Sequence, residues 1–172
     1  MLLGALAGSR ADELEKAISY CRKLGVSERV MRSIAEIEGY KKNGVLYPYI
    51  IRVNSPFRIL GLKEVAPNVY DCRNEMLCRY VAEKLVRAGA KNIDLGVFQI
   101  NYYHYRGDKK RLLADAFNYA REYRLACEIV ADLFRKYGKN LYAIGRYHSA
   151  NPERMRKYAA RFIRAYRKIK IQ

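Results

Sequence analysis

The chain has 172 residues, 51% of them hydrophobic, which is enough for one domain with a buried core and excludes a wholly disordered chain. Lysine and arginine number 34 against 17 acidic residues, giving a formal net charge of +17. Such a surplus favours a polyanionic partner such as nucleic acid, anionic lipid or a carboxylate-rich cell wall. No apolar run approaches the roughly 20 residues that span a membrane, so we predict no transmembrane segment.

The first segment, residues 1–11, is a short apolar stretch that ends in Ser-Arg-Ala. An apolar stretch ending in small residues is typical of the tail of a secretory signal, although the basic region that opens such signals is missing here. We interpret this segment as the remnant of a signal peptide or as a disordered terminus. A single domain is then expected over residues 12–172.

Two helices open the domain. The first is predicted from Asp12 to Leu24, and Ser27 is the N-cap of a second that runs through Glu38. Residues 47–54 are rich in Tyr, Ile and Val and are predicted to be extended, and residues 69–70 can pair with them.

The second half of the chain is mostly helical in pattern. Helices are predicted from Asp71 to Ala88 and, in two pieces, from Lys109 to Tyr137. A last helix has Asn151 as its N-cap and a proline at its first position. Its predicted apolar stripe is Met155, Ala159, Phe162 and Tyr166. The chain is therefore expected to be mainly α-helical with a small β element.

Four cysteines suit an oxidising compartment and allow three disulfide pairings. They are Cys21, Cys72, Cys78 and Cys127. Cys78 shares a helical face with Val81 and Leu85, so a buried free thiol is the alternative at that position. None of the spacings is that of a zinc site.

Two acidic residues near the end of the second helix are candidate catalytic groups. Met31, Ile34 and Glu38 share one helical face, whereas Glu36 lies on the opposite face. Loss of water around a carboxyl group disfavours its charged form, and a carboxyl that keeps its proton can act as a general acid. The alternative is that Glu38 is a solvated residue at a frayed helix end.

A second motif runs from Lys91 to Asn101, with Gln99 and Asn101 spaced to face one side of an extended or turn segment. Their amides carry donors and acceptors that suit sugar hydroxyls and N-acetyl groups. Gly96 allows close approach of a ligand or a helix, and Asp94 can cap the turn or orient groups nearby. An ordinary buried turn, with its amides satisfied internally, is the alternative.

A third motif, Ala-Ile-Gly-Arg-Tyr-His-Ser, occupies residues 143–149. Its His148 and the distant His104 are the only histidines, and no spacing supports a metal site, so no metal pair is expected. The chain also contains 16 tyrosines, whose rings and hydroxyls suit a glycan groove, although most are expected to be core or surface residues.

These three motifs, in this order, resemble those of the lytic transglycosylases, bacterial enzymes that cleave the glycan strands of peptidoglycan. In that family a Glu ends a helix, a Gly-Leu-Met-Gln-like segment follows, and an Ala-x-Tyr-Asn or Gly-x-Tyr-His-Ser segment comes last. The resemblance spans most of the chain, from Ser27 to Tyr166. It implies an α+β, mainly α-helical, lysozyme-like fold of the goose-type lysozyme kind. Gly39 departs from the family, which usually has Ser after the Glu, and Val97-Phe98 replaces the more usual Leu-Met.

The resemblance implies that Glu38 is the single general acid and base. The product would be a 1,6-anhydro sugar, so no second catalytic carboxylate and no cofactor would be needed. The substrate-binding residues that it implies are Gln99, Asn101, Tyr147 and His148, with Tyr49 and Asn54 as weaker candidates.

The partner implied is the peptidoglycan glycan strand, in the periplasm or outside the cell. A secretion or conjugation complex of the envelope is a further candidate partner. Two alternatives remain: a lysozyme-type hydrolase, and a non-catalytic basic module that binds wall or nucleic acid, for which Gly39 is the only hint. Nucleic acid is not expected, because the chain has no recognised nucleic-acid motif, although basic residues crowd its end. These are Arg154, Arg156, Lys157, Arg161, Arg164, Arg167, Lys168 and Lys170.

Overall fold

A computed structural model describes residues 2–54 and 57–170, with side chains from Arg10 onward. These residues form an α+β fold that is 56% helical, with small antiparallel sheets, so the mainly helical prediction is confirmed. The helices are α1 Leu2–Lys23, α2 Glu28–Glu38, α3 Glu75–Arg87, α4 Lys109–Asp115, α5 Tyr119–Tyr137, α6 Leu141–His148 and α7 Pro152–Lys168. The strands are β1 Lys41–Lys42, β2 Val45–Leu46, β3 Ile50–Val53, β4 Lys63–Ala66, β5 Val69–Asp71, β6 Ile93–Leu95 and β7 Ile100–Asn101.

The chain divides into two compact units. The first comprises the residues up to Ile37 and from Tyr123 onward, and the second is Glu38–Glu122.

In the first unit, α1 and α5 are joined by a buried disulfide between Cys21 and Cys127. The Arg29 side chain donates to the backbone oxygen of Tyr166 at 2.8 Å and lies over the Tyr166 ring. Helix α7 has the predicted N-cap, because the Asn151 side chain accepts from two backbone N–H groups of its first turn. Long-range contacts thus tie both ends of this unit together.

The buried face of α7 differs from the predicted stripe in half of its members. Its buried residues are Met155, Tyr158, Phe162 and Ala165, while the predicted Ala159 and Tyr166 are half-buried. The two sets lie on adjacent parts of one face, and packing selects the large Tyr158 ring over the small Ala159 methyl group because the ring buries more apolar area.

Helix α1 begins at Leu2, ten residues before the predicted start at Asp12. The segment interpreted as a signal remnant or disordered terminus is therefore helical from Leu2, and Met1 lies outside the described residues. Leucine and alanine, which are common in this segment, are strong helix formers that extend an existing helix at little cost.

The second unit contains a two-stranded β1–β2 hairpin, closed by Asn43-Gly44, and a five-stranded sheet in the order β4-β5-β3-β6-β7. In that sheet Ile51 pairs with Tyr70. The predicted pairing of the extended segment with residues 69–70 is thus confirmed.

Helix α3 starts at Glu75, later than the predicted start at Asp71. Asp71 is instead the last residue of β5, and Asn74 is the N-cap, accepting from Leu77 N at 2.9 Å. The carboxylate of Asp71 accepts hydrogen bonds from Lys42 and Tyr47. These tertiary contacts hold Asp71 in the sheet, whereas the sequence pattern alone resembles a helix start.

The second disulfide joins Cys72 to Cys78, so Cys78 is not the free thiol that its helical face also allowed. Two disulfides are typical of proteins of oxidising compartments, which is compatible with the predicted periplasmic or secreted location. None of the helices in the described part of the chain has both the length and the apolar character of a membrane span.

Candidate active site

The second unit begins at Glu38, the last residue of α2. Met31 and Ile34, on the same face of the helix, are fully buried, and Glu36 is exposed. Glu38 itself is half-buried. The carboxyl group is thus partly withdrawn from water while still accessible, as a group that transfers protons to a substrate needs to be.

A carboxylate and three amides form a hydrogen-bonded cluster on the sheet and beside it. Asn54 Nδ2 donates to Asp94 Oδ2 at 2.6 Å, and Asn101 Nδ2 donates to Asp94 Oδ1 at 2.7 Å. Asn101 Nδ2 also donates to Asn92 Oδ1 at 2.8 Å. Strand register produces this cluster, because Asp94 on β6 lies opposite Asn101 on β7 and opposite Arg52 on β3.

Asp94 and Glu38 interact electrostatically. Burial raises the pKa of Asp94 above its ordinary value, and the negative charge of Glu38 adds to the rise. The hydrogen bonds from Asn101 and Asn54, and the positive charge of Arg52, lower the pKa of Asp94 without outweighing burial. The site therefore contains a second carboxyl group, Glu38, within electrostatic range of Asp94.

The turn between β6 and β7 is held by a buried glutamate on α5. Glu122 is fully buried, and its two oxygens accept from Val97 N at 3.0 Å and from Phe98 N at 2.6 Å. Burial raises the pKa of Glu122 well above its ordinary value. Gly96 has φ +70°, and a Cβ there would overlap Ala116 O and the Glu122 carboxylate. The close approach predicted at Gly96 is therefore made by Ala116, at the end of α4, and by Glu122 of α5.

Gln99 ends this turn with a left-handed backbone, φ +47°. Its Nε2 donates to Gly96 O at 2.6 Å, and within the described residues its buried Oε1 has no hydrogen-bond partner. Asn101, in contrast, is engaged by the fold, because its Oδ1 accepts from the backbone N–H groups of Tyr103 and His104. Gln99 therefore has a buried acceptor without a partner in the described residues, while Asn101 helps to build the cluster.

Three half-buried tyrosines form an aromatic row in the segment that follows Glu38. The ring centroids of Tyr40 and Tyr47 lie 6.4 Å apart, those of Tyr47 and Tyr49 lie 5.2 Å apart, and both pairs meet edge to face. The row contains the predicted groove residue Tyr49. Such rings can stack on sugar rings and donate to sugar oxygens through their hydroxyl groups.

The two remaining predicted residues, Tyr147 and His148, belong to the first unit and end helix α6. Tyr147 is half-buried and stacks on Tyr158 at 6.5 Å, and the exposed His148 ring lies parallel to Tyr158 at 4.8 Å. The other five predicted residues lie in the second unit. Of these, Asn54 and Asn101 meet on Asp94, which interacts with Glu38.

Sequence reasoning left several members of this site out of the residue set. Arg52 becomes visible only with the strand register, and Glu122 only with the fold that brings it to the turn. Tyr40 and Tyr47 did carry a signal, because they accompany Tyr49 in one short aromatic segment. In the described part of the chain, no group of three or more His, Cys, Asp or Glu is arranged to hold a metal ion.

Comparisons of this chain with protein-family models, with curated proteins and with solved structures find no match. The functional argument therefore depends on the motifs and on the geometry given above.

Proposed function

We propose that this protein is a peptidoglycan lytic transglycosylase with a lysozyme-like fold. It would cleave the β-1,4 bond between N-acetylmuramic acid and N-acetylglucosamine and form 1,6-anhydromuramic acid. The observation that carries the proposal is the half-buried Glu38 at a helix end, whose negative charge adds to the rise in the pKa of the amide-bound Asp94.

Glu38 acts twice in the proposed reaction. Its carboxyl group first donates a proton to the glycosidic oxygen, which leaves with the N-acetylglucosamine. The resulting carboxylate then accepts the proton of the muramoyl 6-hydroxyl as that oxygen attacks the anomeric carbon. One new C–O bond replaces the broken one, and no water is consumed. Asp94 stays hydrogen-bonded to its amides and contributes negative charge near the positive anomeric carbon of the transition state.

Two features of the second unit that could contact a glycan support the proposal. The buried Oε1 of Gln99 has no partner in the described residues, and a sugar hydroxyl or an N-acetyl N–H that reached it would satisfy this acceptor. The tyrosine row that includes Tyr49 can supply ring faces for a glycan chain, while the hydroxyl of Tyr47 is already bonded to Asp71. Tyr147 and His148 are assigned to the substrate groove by the motif resemblance.

The test is digestion of purified peptidoglycan sacculi, with mass analysis of the products. Wild-type protein should release muropeptides that end in 1,6-anhydromuramic acid. The Glu38→Gln variant should lose at least about a hundredfold in rate, since it lacks the proton-transferring group. The matched control is Glu36→Gln, an exposed change two residues away that should keep full activity.

Loss of activity in both variants would contradict the assignment of Glu38. Absence of products from the wild type, together with sedimentation onto the wall, would overturn the enzyme proposal in favour of a binding module. Tight, salt-sensitive DNA binding would point to a nucleic-acid module instead.

A lysozyme-type hydrolase is the second candidate, and Asp94 favours it. Glycosidases commonly use two carboxyl groups, and here a second carboxyl group interacts with Glu38. In that reaction a water molecule replaces the 6-hydroxyl as nucleophile. The same digest separates the two candidates, because a hydrolase leaves reducing ends in place of anhydro ends.

The location and partners follow from this proposal. A peptidoglycan substrate would put the protein in the bacterial envelope, periplasmic or secreted, where its disulfides would persist. A specialised envelope complex for secretion or conjugation would explain a small enzyme that opens the wall locally.

A further inference from the structure

The last part of the connection between β3 and β4, residues 57–62, is an apolar loop. Four of its six residues are apolar, namely Phe57, Ile59, Leu60 and Leu62. Surface loops are normally rich in polar and turn-forming residues, because their backbone groups face water. Leu60 is 92% exposed, and the other three apolar side chains are only half-buried. The core therefore does not take up the apolar surface of this loop.

The position of the loop in the fold leaves its tip uncovered. The loop leads into β4, which is the edge strand of the five-stranded sheet. Leu60 and Gly61 form the turn at the tip, and among the described residues no neighbouring atom lies within 4 Å of the place that a Cβ of Gly61 would take. Apolar surface that stays exposed in this way is typical of a site that contacts a protein or a membrane.

Positive charge flanks the apolar tip. Arg58 and Lys63 are exposed and stand on either side of Leu60 in the sequence. The sequence from Gly39 to Lys63 contains no acidic residue, and the next one, Glu64, accepts a hydrogen bond from the backbone N–H of Asn68 at 2.7 Å. The stems of Arg and Lys side chains can lie along an apolar surface while their charged ends reach polar groups above it. The whole chain carries a charge of +17, which adds long-range attraction to an anionic surface.

We propose that this loop inserts its apolar tip into an anionic membrane surface. Leu60 and the apolar side chains beside it enter the boundary between headgroups and acyl chains, and Arg58 and Lys63 lie among the anionic headgroups. A fluid bilayer accommodates an inserted side chain without a preformed pocket, whereas a protein partner would have to offer a pocket that matches the turn. This inference goes beyond the proposed glycan cleavage and does not rest on it.

The chain contains no tryptophan, so one introduced tryptophan reports on the loop without background fluorescence from another. The test variant is Leu60→Trp, and the matched control is Leu141→Trp, at an exposed leucine of α6. Both are mixed with vesicles of phosphatidylcholine that contain anionic phosphatidylglycerol, and with vesicles of phosphatidylcholine alone. We expect the emission of Leu60→Trp to shift to shorter wavelength with the anionic vesicles only, because the indole leaves water for the membrane interface. The emission of Leu141→Trp should stay unchanged.

Sedimentation with the anionic vesicles measures the contribution of the apolar tip to binding. Leu60→Gln should lower the partition constant at least about fivefold, since burial of the leucine side chain is lost. Leu141→Gln makes the same change at the control position and should lower the partition constant less than about twofold.

The same sedimentation measures the contribution of the flanking charges. Arg58→Gln/Lys63→Gln should lower the partition constant at least about fivefold, because both cations lie near the anionic headgroups. The control, Arg156→Gln/Arg167→Gln, removes the same charge from exposed positions of α7 and should have less than about half of that effect.

Three results would overturn the proposal. Absence of the spectral shift in Leu60→Trp would leave the loop to a protein partner. Equal shifts in the two tryptophan variants, or a partition constant that Leu60→Gln does not change, would show that the vesicles bind the basic surface without insertion of this loop.

Discussion

Asp94 has a structural role in the amide cluster and, in the proposed reaction, a chemical one as well. Its two oxygens accept from Asn54 and Asn101, and burial raises its pKa. Substituting Asn leaves one acceptor and one N–H₂ group, so one of the neighbouring amides meets a donor instead of an acceptor. We expect Asp94→Asn to lower the rate of anhydro-product release about a hundredfold through misplacement of the site.

The control for this change is Asp132→Asn, which removes a carboxylate whose side chain is mostly exposed on α5. It should leave the rate unchanged. Full activity of Asp94→Asn in the sacculus digest would show that the reaction needs neither the charge nor the hydrogen-bond pattern at this position.

Asp71 carries a pH dependence of stability. Burial raises its pKa, but the hydrogen bonds from Lys42, the Arg73 backbone and Tyr47 outweigh burial and hold the pKa of Asp71 below its ordinary value of 3.8. An acid with a lowered folded-state pKa stabilises the fold above its unfolded-state pKa, and this stabilisation is lost as pH falls through the folded-state value. We expect wild-type stability to drop below about pH 4.

Urea unfolding at pH 7 and pH 2.5 tests the direction of this pH dependence of stability. Asp71→Asn should lose about 1.5 kcal/mol at pH 7, near the lower limit for charged hydrogen bonds because Lys42 is half exposed. The variant should then show a smaller loss than the wild type between the two pH values. An equal loss in both proteins would mean that Asp71 does not contribute.

At the scale of elements, the sequence predicted what local chemistry determines. The N-caps at Ser27 and Asn151 were correct, because a side chain that accepts from the first turn works within three residues of itself. The division of residues 109–137 into two helices was also correct. The start of α3 was not, because contacts from Lys42 and Tyr47, more than 20 residues away, hold Asp71 in the sheet.

The candidate site, too, could be predicted only where residues close in the sequence determine it. Glu38 could be preferred to Glu36 from helical periodicity, and the two amides of the second motif from residue type. The sequence could not show that the Asn101 side chain is hydrogen-bonded to Asp94 and to the turn that follows, since these bonds depend on strand register. Glu122 resembled an ordinary helical glutamate, and only the fold places its carboxylate under the turn.

The packing of the β6–β7 turn predicts how a substitution at Gly96 changes stability. Gly96→Ala adds a methyl group that overlaps Ala116 O and the Glu122 carboxylate, on a backbone with positive φ. We expect a loss of about 3 kcal/mol in the free energy of unfolding, from the left-handed conformation and from overpacking together. Gly89→Ala is the control, because Gly89 also has positive φ but open space around it, so only about 1 kcal/mol should be lost.

Chemical denaturation measures the free energy of unfolding of both variants. If the two alanine variants lost the same stability, the close approach at Gly96 would have no energetic consequence. A loss of catalytic rate in Gly96→Ala beyond its loss of folded protein would in addition connect the turn to the reaction.

At the scale of the whole molecule, the two disulfides should contribute unequally. Cys21–Cys127 closes a loop with a sequence separation of 106, and Cys72–Cys78 one of 6. Chain-entropy estimates give about 5 kcal/mol for the first and about 2 kcal/mol for the second. We expect Cys21→Ala/Cys127→Ala to lose clearly more stability in denaturant unfolding than Cys72→Ala/Cys78→Ala. The reverse order would show that strain or residual structure outweighs loop entropy.

The carboxylate of Glu122 beneath the turn should slow the exchange of two backbone amide hydrogens with solvent. The amide hydrogens of Val97 and Phe98 lie outside the strand ladder, where exchange is usually fast, yet both point at a fully buried acceptor. These amide hydrogens can exchange with deuterated water only when the turn separates from the Glu122 carboxylate. Their exchange should therefore be as slow as that of core amides, and a glycan that reaches Gln99 would meet a preformed wall instead of a loop that closes over it.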